Sequence, residues 1–156
     1  MLRRIRVIAD YQFGQGAGIR LFPDDCEFIL SRTGRVRQIL YDGKRLATVR
    51  AGDGRLTLGC EGAYRLHQYL PPPAYRVVIR EDVADFVAQG KNAFARHVVS
   101  ADPGIRADDE VLVVTADDRL IATGSAVLSG MEMLVFNYGA AVTVRHGRSA
   151  YAAGRN

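Results

Sequence analysis

A chain of 156 residues, 48% hydrophobic and 24% charged, has room for one ordinary domain or two small ones and enough apolar side chains to build a core. No stretch approaches the roughly 20 uninterrupted apolar residues of a membrane-spanning helix, so that class is excluded and a soluble protein is expected. The net charge of +4 is unevenly placed: residues 1–73 hold 12 Lys and Arg against 7 Asp and Glu, whereas residues 74–156 hold 9 against 10. Local basic surplus is the footprint of a nucleic-acid binder. Lysine occurs only at Lys44 and Lys91, and the remaining cations are arginines, which suit planar contact with phosphate and stacking on bases. Arginine-rich usage also follows from GC-rich coding, so composition does not decide alone.

The opening MLRRIRVIADYQFG breaks its apolar positions with three arginines and an aspartate, unlike a secretory signal, and a cytoplasmic location is expected. Leu2 to Tyr11 predicts a short amphipathic helix, and Gly14, Gly16 and Gly18 a flexible loop. GQGAG lacks the preceding strand and the following Lys and Ser/Thr of a nucleotide cradle. From Cys26 onward, CEFILS, RVRQILYD, RLATVRA and RLTLG are short β-rich runs divided by TG, DGK and GDG, which predicts an antiparallel meander. Alternation from Arg35 to Ile39 places Val36 on one face and Arg35 and Arg37 on the other. Arg45 and Arg50 join that basic side where the register permits, giving either a surface for RNA or an ordinary solvated sheet face. Glu61 to Leu70 predicts a helix whose stripe of Ala63, Leu66, Tyr69 and Leu70 covers the other face.

Pro71, Pro72 and Pro73 remove backbone donors and mark a boundary, dividing the chain into domains at 1–73 and 74–148 with a C-terminal tail at 149–156. Beyond them, YRVVI predicts a strand, EDVADFVAQG a helix closed by Gly90, and KNAFARHVV an extended stretch. DEVLVVT and RLIATGSAVLS then predict strands, MEMLVFNYG a helical turn ending at glycine, and AVTVRHG a last strand. Strands this short hide their edges best in a small closed or half-closed barrel, with the two short helices plugging its ends. The fold class expected is α+β: a small sandwich-like domain of antiparallel sheet with helices, followed by a β-barrel-like domain.

Gly90-Lys91-Asn92-Ala93-Phe94-Ala95-Arg96-His97-Val98-Val99, Asp109 to Val114, Ala122-Thr123-Gly124-Ser125-Ala126 and Gly139 to Gly147 together resemble the PUA domain of pseudouridine synthases and archaeosine transglycosylases over about residues 75–148. Asp10-Tyr11-Gln12-Phe13-Gly14, Ser31 to Arg37 and Thr48 to Leu58 resemble the domain preceding PUA in archaeal tRNA-guanine transglycosylase and archaeosine synthase. The resemblance implies an archaeal protein that holds tRNA or another structured RNA, without the large catalytic domain of those enzymes, acting alone or beside a separately encoded catalytic subunit. It also implies an RNA groove. There, Gly90 admits a phosphate or sugar, Lys91 and Arg96 pair with phosphates, and Asn92 and His97 add hydrogen bonds. Met131, Tyr138 and Gly139 form the opposite lip, where a base or helix end packs, and Arg145 closes the charge there. Turn glycines, a core-filling Met131 and an inward Tyr138 are the structural alternatives.

No catalytic constellation, cofactor or metal is expected. Asp108, Asp109 and Glu110 are adjacent residues entering a strand and point to different sides. Cys26, Cys60, His67, His97 and His146 show no compact ligand spacing, and the two thiols, with no CxxC pair, read as buried structural cysteines. Ser31 and Ser129 lack a neighbouring His or acid in nucleophile context. Two other roles stay open: a docking subunit for a transglycosylase or archaeosine synthase, and an enzyme whose site assembles on oligomerisation.

Overall fold

The computed structural model describes residues 1–149 and divides the chain into two compact units, Met1–Leu70 and Pro71–Asn156. Apart from Ser149, the segment expected as a tail lies outside the described residues. No helix among those residues is long and apolar enough to cross a membrane.

In the first unit, α1 (Leu2–Phe13) buries Ile5, Ala9 and Phe13, a four-residue repeat that keeps one stripe facing inward. The strands β1 (Glu27–Leu30), β2 (Val36–Tyr41), β3 (Lys44–Val49) and β4 (Leu56–Leu58) form the predicted antiparallel meander in the order β1-β2-β3-β4. The cross-strand row Ile39, Ala47 and Leu58 is fully enclosed. Against this sheet pack α1 and α3 (Cys60–Tyr69), the latter through Ala63 and Leu66. The outer edge of β4 is not left open: the Gln12 amide donates to the Leu56 carbonyl at 2.9 Å and accepts from the Leu56 N–H at 2.8 Å, standing in for one residue of a neighbouring strand.

The glycine run is not a loop throughout, because Ala17–Leu21 forms a second helix, α2. Its Gly18 N–H donates to the Asp10 carboxylate at 2.7 Å, and at its C-terminal end Arg6 donates to the Phe22 carbonyl at 3.0 and 2.7 Å and pairs with Asp24 at 2.9 Å. Gly18 serves packing. A Cβ there would lie 2.2 Å from the Arg6 carbonyl oxygen, so only a bare α-carbon lets α1 and α2 cross this closely.

The second unit is a six-stranded, nearly closed barrel-like sheet of order β6-β10-β9-β8-β5-β7, antiparallel except for the β5–β8 pair. Its strands are β5 (Arg76–Ile79), β6 (Ala93–Phe94), β7 (Val98–Ala101), β8 (Glu110–Val114), β9 (Leu120–Ala126) and β10 (Ala140–Gly147). A 3-10 turn, Glu81–Val83, leads into α4 (Ala84–Ala88), and a second, Ala95–His97, follows β6. Helix α5 (Gly130–Val135) starts at a capping box: the Glu132 N–H donates to the Ser129 hydroxyl and the Ser129 N–H to the Glu132 carboxylate. Val77, Ile79, Val111, Val113, Ile121, Met133 and Val142 belong to one enclosed core. Arg76, itself buried, is held by Asp118 at 2.7 Å.

The Gly18→Ala chain tests the helix crossing. Alanine ordinarily gains about 0.5–1 kcal/mol over glycine inside a helix, but here overpacking should reverse the sign and cost about 1–3 kcal/mol, read as a lower denaturant midpoint.

Candidate nucleic-acid interface

The segment from Gly90 to His97 carries five of the expected site residues, and its shape follows from what it is fastened to. Helix α4 ends two residues before Gly90, whose φ of 103° continues the chain in a direction that other residues rarely adopt, and the Lys91 N–H returns to the Phe86 carbonyl at 3.2 Å. Next, Asn92 accepts the Val144 N–H of β10 through Oδ1 at 3.0 Å. Ala93 and Phe94 then pair with β10 as β6, and the Ala95 N–H donates to the Gly139 carbonyl at 2.9 Å. Asn92 therefore spends its side-chain oxygen on the fold, leaving its NH₂ as the group for a ligand.

Lys91 and Arg96 are exposed, and neither has a carboxylate partner among the described residues. The Arg96 guanidinium lies 5.8 Å from the Phe94 ring centroid and donates from Nε to His97 Nε2 at 3.3 Å, while the Phe94 and His97 rings meet edge to face at 5.9 Å. Phe94 was not singled out in the sequence. Burial pushes the His97 imidazole below its ordinary value of 6.5, helped by Arg96 and Arg80 and opposed by Asp82. Its neutral form is thus favoured at pH 7, where one ring nitrogen donates and the other accepts.

Across from this segment, α5 packs beside β7 and the turn Ala95–His97. Met131 is 67% exposed and Tyr138 74%, so neither is a core filler; Met133 takes the inward place. Leu134 and Val135 are also exposed, giving with Met131 an i, i+3, i+4 apolar face turned to solvent, and Phe136 meets Tyr138 edge to face at 6.2 Å. Gly139 has a φ of 82° in the turn that delivers its carbonyl to Ala95. Arg145 behaves differently from the other cations: it sits at a register shift on β10 and bonds the buried Glu110 carboxylate of β8.

The arginines of the first unit do not line one sheet face. Opposite the buried row, the cross-strand row is Ile29, Gln38, Thr48 and Thr57. Arg35 lies in the turn before β2, Arg37 where the β1–β2 register slips by one residue, and Arg50 beyond β3 in a loop where it pairs with Asp53 at 3.0 Å. Simple alternation fails at Arg37 because the slip falls on it. Arg35 and Arg37 are exposed without a carboxylate partner among the described residues.

The groups surveyed for chemistry have other tasks. Asp109 accepts the Arg106 N–H at 2.8 Å in a turn, and Glu110 holds Arg145. Burial raises both thiols, against Arg6 and Arg65 at Cys26 and against Arg45 at Cys60, which is pushed up to about 11.

Residues 3–73 match the family model of the patch-forming domain C2 of tRNA-guanine transglycosylase, and residues 75–148 match that of the PUA domain. The chain is 55% identical over 148 residues to a tRNA-guanine(15) transglycosylase of Pyrococcus abyssi, covering 95% of this chain and 25% of that one. The tRNA-guanine(15) transglycosylase of Methanothermobacter thermautotrophicus is 49% identical over 147 residues, 94% of this chain and 22% of that one. The chain thus spans about a quarter of the length of the curated relatives it matches. Among solved structures, a hypothetical protein from Pyrococcus horikoshii aligns with a TM-score of 0.72 at 25% identity, over 94% of this chain and 89% of the other. A conserved PUA domain protein from Thermoplasma acidophilum shares the fold with a TM-score of 0.65 at 22% identity, over 94% and 90%.

Two measurements separate structural from binding roles. Arg145→Ala removes a charge-assisted bond to a buried carboxylate and should lower the unfolding free energy by about 1.5–3 kcal/mol, whereas Lys91→Ala, which breaks no such bond, should leave it within about 0.5 kcal/mol. In an NMR titration the His97 midpoint should fall below 6.5. With the folded value depressed, the unfolded chain takes the proton first as pH drops below 6.5, so this residue's contribution to stability is lost on acidification toward the folded midpoint.

Proposed function

We propose that this chain, a patch-forming C2 domain followed by a PUA domain as in the tRNA-guanine transglycosylases, holds a structured RNA, most plainly a tRNA, against the second unit while an RNA-modification reaction proceeds elsewhere. The observation that carries the proposal is the pairing of unlike groups on adjoining elements. Lys91 and Arg96 offer cations free of carboxylate partners among the described residues, and Met131, Tyr138 and the α5 face offer apolar and aromatic surface beside them. Phosphates take the first set and an exposed base or helix end packs on the second. Gly90 leaves open space at its α-carbon, so a sugar or phosphate meets no side chain there. Arg145 tightens the sheet through Glu110 rather than reaching for phosphate.

In this reading the chain contributes binding, and the chemistry belongs to a catalytic domain or a separately encoded transglycosylase or archaeosine synthase subunit. No cofactor enters. A docking role toward that subunit is the second reading, and exposed apolar side chains on the first unit favour it: Val7 and Tyr11 lie one turn apart on α1, and Ile19 on α2 is also exposed.

The test is binding of the purified chain to bulk tRNA and to an unstructured RNA of equal length across a salt series, with a Lys91→Ala, Arg96→Ala double variant. Tight, salt-dependent binding that prefers tRNA is expected, and the variant should lose roughly 0.7–0.9 from the log–log salt slope for each phosphate contact removed. Equal affinity for the two RNAs, or none, would sink the proposal in favour of the docking role.

A further inference from the structure

The first unit contains a concavity of about 350 Å³ lined by Arg20, Tyr64, Arg65, Gln68 and Tyr69, where the end of α2 meets one side of α3. Its size falls in the range of small-ligand sites, and its lining contains no carboxylate. On α3, Tyr64 and Gln68 stand one turn apart, as do Arg65 and Tyr69, so a single helix supplies ring, amide and guanidinium to the same hollow.

The walls are set in advance. The Tyr69 hydroxyl donates to the Gln15 carbonyl at 2.9 Å, its ring occupying space that a side chain at Gly16 would fill, and Arg20 lies 5.6 Å from that ring's centroid. Arg65 lies 5.0 Å from the Tyr41 ring centroid and 3.7 Å from the Glu61 carboxylate. Its Nε, the atom that faces Glu61, is enclosed and makes no hydrogen bond among the described residues. Arg20 has no carboxylate partner among those residues, and Tyr64 is 48% exposed, its ring without a ring partner among them.

We infer that this hollow receives one nucleotide of a bound RNA, its phosphate on the guanidinium groups of Arg20 and Arg65 and its base on the exposed face of Tyr64. Gln68 offers donor and acceptor to the base edge. A cationic ligand is repelled by two guanidinium groups, and an acidic peptide would satisfy the cations while leaving the Tyr64 ring unused; a nucleotide engages both. Holding the guanidinium groups over tyrosine rings beforehand lowers the ordering cost of binding. The inference rests on the RNA-binding proposal and adds a contact in the first unit, independent of Lys91 and Arg96.

The experiment uses the full chain and bulk tRNA. Wild type, Arg20→Ala, Tyr64→Ala and Tyr64→Phe are compared for affinity and salt slope after thermal melts confirm folding, and wild type bound to tRNA is crosslinked with ultraviolet light and the modified residues mapped. Arg20→Ala should lower the salt slope by roughly 0.7–0.9. Tyr64→Ala should weaken binding about fivefold or more, Tyr64→Phe should restore it, and the crosslink should map to Tyr64 or Tyr69. Wild type that binds tRNA, with both alanine variants unchanged and no crosslink in α3, would overturn this site and leave the second-unit proposal standing. Wild type that binds no RNA would overturn both.

Discussion

The free edge of β10 is the constraint on which the candidate interface depends. Only Ala93 and Phe94 pair with it as strand, too short a stretch to fix eight residues of chain. Two added bonds complete the work: the Asn92 side chain accepts from Val144, and the Ala95 N–H reaches Gly139. The segment is therefore held at both ends of its short ladder, and Lys91, Arg96 and His97 project from an ordered backbone. Ordering before contact reduces the entropy that binding must overcome. The same attachment covers a strand edge that would otherwise invite pairing with another chain.

Charge is distributed to match. The second unit contains more acids than bases, which by simple counting argues against phosphate binding. Its carboxylates are nevertheless largely committed: Asp102 and Asp109 accept backbone N–H groups in turns, Glu110 and Asp118 hold Arg145 and Arg76, and Glu132 completes the capping box of α5. Lys91 and Arg96 have no such partner among the described residues. What a ligand meets is decided by which charges are spent internally, and net charge by domain does not report that.

Periodic features were legible in the sequence. The stripe of Ile5, Ala9 and Phe13, the meander with its turn residues, and the short strands of the second unit all follow from spacing that a local window contains. Features set by contacts distant in sequence were not. Helix α2 was hidden because its glycine composition argues for a loop, and the packing that rewards Gly18 comes from the backbone of Arg6. The place of Arg37 depends on a register slip between β1 and β2, which cannot be read from one strand alone. The bond from the Val144 N–H to Asn92 Oδ1 joins residues 52 apart, which no local window contains. Exposed Met131, Leu134 and Val135 have the spacing of a buried helix face, so only the enclosed Met133 shows which side of α5 is turned inward. The α2–α3 hollow required α2 itself.

Cys60, at the start of α3, and Cys26, just before β1, are both half-buried rather than enclosed in the core as expected. Both remain protonated at neutral pH, since burial works against the thiolate at each. Attack on peroxides, maleimides or another disulfide proceeds through the thiolate. Both thiols should consequently label more slowly in the folded chain than in the unfolded one, so that thiol labelling becomes a clock for opening of the first unit.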